Sequence, residues 1–383
     1  MTALAENQAA TPPRLRSLDA LRGFDMLWIT GGRSLVVALA ASTGWPIFKA
    51  LEAQFHHAAW NGFTLWDLVF PLFLFLSGAT LPFSQDRRLE QGVPRSKLAQ
   101  KILRRAFVLV LLGAIYNGLL QFDWEHQRWA SVLARIGLGW AGAALIALFV
   151  GVRGRTIAMA AILLGYGALF FLWPIAASAG AFDQGQNVAD LFDQRFLPGR
   201  LHRGNHDPEG LLSTIPAIAT ALLGALAGER LRRAGKPRAR TAFELMGGGL
   251  VLLLAGWCLG FVIPINKALW TPSFVLFAAG WSALLLGLFH LLIDLPGGTV
   301  ADGIQPSRSQ VWSARLSFPF VVLGSNAIAL YLLDRFVAFE AITDFVFQHE
   351  PALLSPVALA IAALFLRWLC LYALWRRRLF LRV

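Results

Sequence analysis

Two histidines and a carboxylate stand close together in this sequence, just before a long apolar run. His56 and His57 precede the turn signal Asn61-Gly62, and Asp67 follows three residues after Thr64. An imidazole with an ordinary pKa of about 6.5 can take a proton from an incoming nucleophile and return it to a leaving group near neutral pH. Asp67 stands where it could orient that imidazole and favour its protonated form. Thr64 with an acid three positions on reads as a helix N-cap, so this chemistry would sit at the mouth of the helix that follows. An interfacial histidine without chemistry is the plain alternative. The sequence has no GxSxG elbow, no HExxH and no Ser-His-Asp order. His202 and His206 are four apart, but in a loop flanked by Gly and Pro, so no metal is expected.

The element that must carry these groups is a membrane span. Of the 383 residues 57% are hydrophobic and 15% charged, against about 25% charged in an ordinary soluble domain. The expected fold class is all-α, a polytopic membrane helix bundle. Runs long enough to cross a bilayer fall at about 18–41, 64–84, 102–121, 131–150, 156–177, 211–229, 241–263, 271–293, 316–337 and 355–375, which makes about ten transmembrane helices. The first is the weakest, because Asp19, Arg22, Asp25 and Arg33 interrupt it. Residues 1–16 read as a disordered cytoplasmic tail and 17–383 as a single transmembrane domain.

The net charge of +12 suggests nucleic acid, but the basic residues cluster between apolar runs, as the positive-inside rule requires. They gather in 85–105, in 230–240 and in the ending WRRRLFLRV. Ten spans put these clusters and both termini in the cytoplasm, and His57 on the far side. The polar segment 178–210 falls on that far side too. It ends in Asp207-Pro208-Glu209, which reads as a helix start. Arg135, Asp334, Arg335 and Arg367 are ionisable groups in or near spans, where such groups face a cavity or a partner. Cys258 and Cys370 both lie in apolar runs and form no disulfide framework.

Several blocks resemble the heparan-α-glucosaminide N-acetyltransferase family and its bacterial relatives. They are RLRSLDALRGFDM (14–26), HHAAWNGFTLWDLVFPLFLFLSGATLPFS (56–84), HDPEGLLSTIPAIATALLGALAGE (206–229), PINKALWTPSFVL (264–276), LGSNAIALYLL (323–333) and the tail WRRRLFL. The resemblance implies transfer of an acetyl group from cytosolic acetyl-CoA to the amine of an amino sugar or cell-envelope glycan across the membrane. It implies His57, directly before A-x-W-N-G, as the catalytic histidine, with Asp67 beside it. Arg22, Arg104, Arg105, Arg135 and Asn326 would then serve acetyl-CoA, helped at the cytoplasmic mouth by Arg87, Arg88 and the 230–240 cluster. Asn61, Asp207, Glu209 and Lys267 would serve the acceptor.

Two features depart from the lysosomal member. The stretch WITGGRSLVVALAA lacks the asparagine that acts at the acetyl group there, and no counterpart of its lumenal domain precedes the first span. No cleaved signal peptide is visible, and the loops are short. These traits point to a bacterial inner membrane. A homodimer is among the assemblies the sequence allows. A proton-coupled transporter or flippase of a small polar or glycan solute is the competing reading, because intramembrane carboxylates and arginines also serve such cycles.

Overall fold

The computed structural model describes residues 15–173, 180–297, 307–348 and 355–381. The tail expected over 1–16 therefore lies almost wholly outside the described residues, and its last residue already opens a helix. The chain begins with α1 (Arg16–Leu27), a wide turn over Trp28–Gly32, and α2 (Arg33–Thr43). Gly31 breaks this first span, with φ at 149°, a conformation open to glycine and strained for other residues. Next come α3 (Pro46–Gln54), α4 (Leu65–Ala79) and, through a second wide turn, α5 (Arg87–Glu90). Then follow α6 (Arg95–Tyr116), α7 (Val132–Phe149) and α8 (Val152–Leu172). A short α9 (Val188–Phe196) occupies part of the segment that the sequence reads as loop. The second half holds α10 (Thr214–Ala234), α11 (Ala239–Leu259), α12 (Pro272–Phe289) and α13 (Leu295–Gly297). It closes with α14 (Arg308–Ser325), α15 (Ala327–Phe336), α16 (Phe339–Phe347) and α17 (Pro356–Arg376). No strand occurs among the described residues.

Among the described residues, seven helical segments are long and apolar enough to cross a bilayer, or eight if α14 and α15, bent by 64° at Asn326, make one broken span. This is an integral membrane protein. The expected number of about ten is not reached on these criteria. Helices α6 and α10 have the length, 22 and 21 residues. The first carries Arg95, Lys97, Lys101, Arg104 and Arg105, and the second is rich in Ala and Gly and ends in Glu229, Arg230, Arg232 and Arg233.

Helix α10 is nonetheless the centre of the bundle, packed by α4, α7, α8 and α12. A methyl group on Gly224 would come within 1.9 Å of the Phe75 carbonyl oxygen, and one on Gly78 within 1.9 Å of that of Ala221. The α4 and α10 backbones thus touch, as small residues allow in membranes. Burial without bulk lets this central helix be less apolar than the helices packed around it.

Candidate active site

Thr64 caps α4, and Asp67, at its third position, reaches back to the Thr64 N–H at 3.2 Å. The same carboxylate oxygen accepts from Ala58 N at 3.2 Å. The other, Oδ1, lies 2.7 Å from His57 Nδ1 and 3.5 Å from Lys267 Nζ. A carboxylate only accepts, so the 2.7 Å contact puts the proton on Nδ1 and leaves Nε2 as the basic nitrogen. Asp67 is buried, while His57 is half exposed. His56 contributes only its carbonyl, which accepts from Thr64 Oγ1 at 2.7 Å. The Trp66 ring stands 6.2 Å from the His57 ring, with Phe55 edge-on to Trp66 and Trp28 tilted against Phe55.

A second loop meets this turn. Gly62 N donates to Ile265 O at 2.8 Å, and Asn266 Nδ2 donates to Asn61 Oδ1 at 3.0 Å. These bonds bring Lys267 Nζ to 3.2 Å from His57 Nδ1. Burial lowers the Lys267 ammonium's pKa, against the opposing pull of Asp67 and Glu209.

A third group comes from before α7 and α10. Arg128 grips Asp207 with two hydrogen bonds, Nε to Oδ2 at 2.8 Å and Nη2 to Oδ1 at 2.6 Å, and also bonds Glu209. Burial pushes the Asp207 carboxyl up, but the bonds from Arg128 and from the Glu209 and His202 N–H groups outweigh it, and the net shift is downward. Burial and the nearby Arg128 charge hold the His202 imidazole below its ordinary value. Asp207 is not a helix cap. Residues 207–210 form a turn closed by Gly210 N to Asp207 O at 3.1 Å, and α10 begins only at Thr214. Both carboxylate oxygens of Asp207 are taken by Arg128.

Three cavities run through the bundle from this constellation. The outer one, about 260 Å³, is lined by His57, Trp60, Asp67, Arg128, His202, His206, Glu209 and Lys267. A middle one of about 180 Å³ shares His57, Val132, Glu209 and Lys267 with it and is otherwise largely apolar. The third, about 590 Å³, shares Phe73, Leu133, Ile136, Ala327 and Ile328 with the middle one. Its polar walls are Asp19, Arg22, Ser77, Thr80, Ser84, Arg87, Arg105 and Ser325.

The expected residues divide accordingly. His57, Asp67, Glu209 and Lys267 come together, with Asn61 bracing the turn and Asp207 holding Arg128 behind them. Arg22 and Arg105 share the large cavity. Arg104 is exposed and lines none of the three. Arg135 is buried under the Gly210 carbonyl, at 3.2 Å, and over the Trp270 ring, so it props the floor rather than lining a cavity. Asn326 is also held elsewhere. Its amide donates to Leu379 O at 2.9 Å and accepts from Leu381 N at 3.0 Å. Arg232 of the 230–240 cluster is paired with Asp86 and Glu90. Among the described residues no three His, Cys, Asp or Glu side chains converge as a metal site would need.

No model of a known protein family matches the sequence. Curated proteins do match. The heparan-alpha-glucosaminide N-acetyltransferase of Homo sapiens is 26% identical over 392 residues, taking in 85% of this chain and 53% of that protein. That of Mus musculus is 24% identical over 452 residues, taking in 99% of this chain and 62% of that protein. The chain is a distant relative of these N-acetyltransferases. It spans less than two thirds of the length of either relative.

Sequence reasoning toward these N-acetyltransferases overlooked Arg128, Trp60 and the buried pair His206–Asp190. Trp60 donates to Phe182 O at 2.9 Å, and its ring meets that of His206 edge-on at 5.0 Å. Arg128 was the most accessible of them. It is a basic residue between two tryptophans in a loop where the charge rule expects few, and its acidic partners lie about 80 positions on.

Proposed function

We propose that this protein is a membrane-embedded N-acetyltransferase that carries an acetyl group from acetyl-CoA to the amine of an amino sugar or cell-envelope glycan across the bilayer. The observation that carries this reading is the file of three cavities. It joins an arginine-rich chamber at one end of the bundle to a histidine–carboxylate pair at the other. Arg22, Arg87 and Arg105 would hold the phosphates of the co-substrate, a role suited to guanidinium groups. The narrow apolar middle chamber would admit a flexible thioester arm and leave the bulky nucleotide behind. His57, donating its Nδ1 proton to Asp67 in a hydrogen bond, would take the acceptor's proton at Nε2. Glu209 and the Arg128 network would receive the acceptor. The clustering of Lys and Arg at the arginine end supports a cytoplasmic placement of that end and of the described termini. The distant relationship to N-acetyltransferases supports the reaction type.

The test is release of CoA and formation of an N-acetyl product by purified protein in detergent, given acetyl-CoA and a hexosamine. Saturable acetyl-CoA binding with transfer abolished in His57→Ala is the expected result. Folded protein that neither binds nor turns over acetyl-CoA would remove the reading. The same end-to-end file of cavities would then favour the transporter, which solute uptake into sealed vesicles would reveal.

A further inference from the structure

Acyl transfer from a thioester places negative charge on the carbonyl oxygen. The acyl-transfer reading so far gives that charge no partner. We infer that Lys267 is a catalytic residue, the cation that holds this oxyanion while His57 moves the proton. The inference rests on the acyl-transfer reading.

The argument begins with the wall shared by the outer and middle cavities. Four residues make it: His57, Val132, Glu209 and Lys267. An acyl group coming through the middle cavity and an amine coming through the outer one meet there. Val132 is apolar, Glu209 is anionic and His57 is the base. Lys267 is the sole cationic side chain on that wall.

The ammonium has donors to spare. One N–H is accounted for by Asp67 Oδ1 at 3.5 Å. Nδ1 of His57 lies 3.2 Å away, but its own proton lies toward Asp67, so it accepts nothing from the lysine. Two N–H bonds are left for the cavities that Lys267 lines.

The loop fixes this position before any substrate arrives. Asn266 N donates to Thr271 Oγ1 at 3.1 Å and Leu269 N to Asn266 Oδ1 at 2.9 Å, while Tyr166 OH donates to Leu269 O at 2.7 Å. The two bonds to Asn61 and Gly62 then tie base and cation into one braced unit. Preorganised donors of this kind are worth most where charge develops in a partly dry site.

The step balances as follows. The amine nitrogen attacks the thioester carbon, a C–N bond forms, and the carbonyl π pair moves to oxygen, where Lys267 meets it. His57 Nε2 takes the proton from nitrogen. The oxyanion collapses, the C–S bond breaks, and the departing thiolate takes that proton from His57. The products are the amide and the free thiol. Partial burial already lowers the ammonium's pKa, so the oxyanion partner is lost at a pH below the ordinary lysine range.

The test replaces and then restores the amine. In a Cys258→Ser/Cys370→Ser background, Lys267→Cys is treated either with 2-bromoethylamine, which rebuilds a lysine-like ammonium, or with iodoacetamide, which adds a neutral amide. Steady-state CoA release is followed with acetyl-CoA and glucosamine over a range of pH. Lys267→Met serves as a second variant, and a thermal melt with an acetyl-CoA binding isotherm verifies that each variant is folded. The expected result is a fall in kcat of about 10²–10³-fold with acceptor KM little changed. Aminoethylation, and not carbamidomethylation, should return most of the loss and shift the alkaline limb of the kcat profile. Unchanged kcat with a raised acceptor KM would overturn the inference and make Lys267 an acceptor-binding residue. Equal recovery with both reagents would reduce it to a packing role. Wild type that binds acetyl-CoA but transfers to no acceptor, and not to water either, would instead overturn the acyl-transfer reading and the inference with it.

Discussion

His57 Nδ1 lies 2.7 Å from Asp67 Oδ1, and the other oxygen of Asp67 accepts from the Thr64 N–H that opens α4. One carboxylate therefore closes the turn, caps the helix and orients the imidazole. The two residues are separable by mutation. His57→Ala should leave the thermal midpoint near wild type, because the ring is half exposed. It should cut acyl transfer by about 10²–10⁴-fold, the usual contribution of a general base. Asp67→Ala should cost activity and also about 1–2 kcal/mol of stability through the lost cap. Melts and CoA release on both variants check this, and a stable, fully active His57→Ala would be the opposing outcome.

Arg128 should matter for stability as well as for the site. Its bidentate hold on Asp207 offsets the burial of a carboxylate that has no solvent exposure, while Arg128 itself is 20% exposed. Arg128→Met leaves Asp207 and Glu209 without that partner, a loss on the order of 3 kcal/mol near neutral pH. The pH dependence has a definite sign. The Asp207 pKa is depressed in the folded state, so its contribution is present above the ordinary carboxylate range and fades as pH falls through the depressed value. In Arg128→Met the unpaired carboxyl instead gains by protonation. The gap between the two melting curves should narrow on acidification. A gap constant with pH would show that packing, not charge, holds the Arg128 site.

Asp193 behaves in the opposite sense. Burial pushes its carboxyl up from the ordinary 3.8 to about 6, although Leu211 N donates to Oδ1 at 2.8 Å. A raised folded pKa means stability that is complete below the ordinary carboxylate range and lost as pH rises through about 6. Asp193→Asn keeps an oxygen for Leu211 and removes the ionisation. It should stabilise the protein at about pH 8 by up to roughly 3 kcal/mol and make no difference at about pH 4. Thermal melts across that range decide, and a destabilised Asn variant at alkaline pH would show that the charge is used.

Much of this was legible in the chain itself, and the misses have physical causes. The Thr64–Asp67 cap and the approach of Asp67 to His57 depend on spacing within a dozen residues, where local geometry nearly fixes the outcome. Lys267 was picked out by its block, but its place beside His57 rests on two bonds between loops about 200 residues apart, which no local pattern carries. Arg128 escaped for the same reason. Asp207 misled because Asp-Pro-Glu is a strong start signal by itself, and Arg128 had a prior claim on the buried carboxylate. The span count fell short at α6 and α10. Helix α6 misses through the five basic residues of its N-terminal half, whereas α10, packed by four other helices, need not be strongly apolar, since its neighbours shield it from lipid.

That last point gives a sharp test. Methyl groups on Gly78, Gly224 and Gly228 would come within 1.9–2.0 Å of carbonyl oxygens on the facing helix, contacts no rotamer can relieve. Gly224→Ala must push α4 away from α10 by more than an ångström, opening the centre of the bundle on the helix that bears Asp67. A loss of about 1–3 kcal/mol follows from overpacking of this kind. Gly248→Ala on α11 is the control, because its added methyl meets nothing within 4 Å. Alanine there should be neutral or stabilising by up to about 1 kcal/mol, its advantage over glycine in a helix interior. Melting in detergent and the yield of monodisperse protein read both. If the two variants behaved alike, the close α4–α10 contact would not be what holds the centre together.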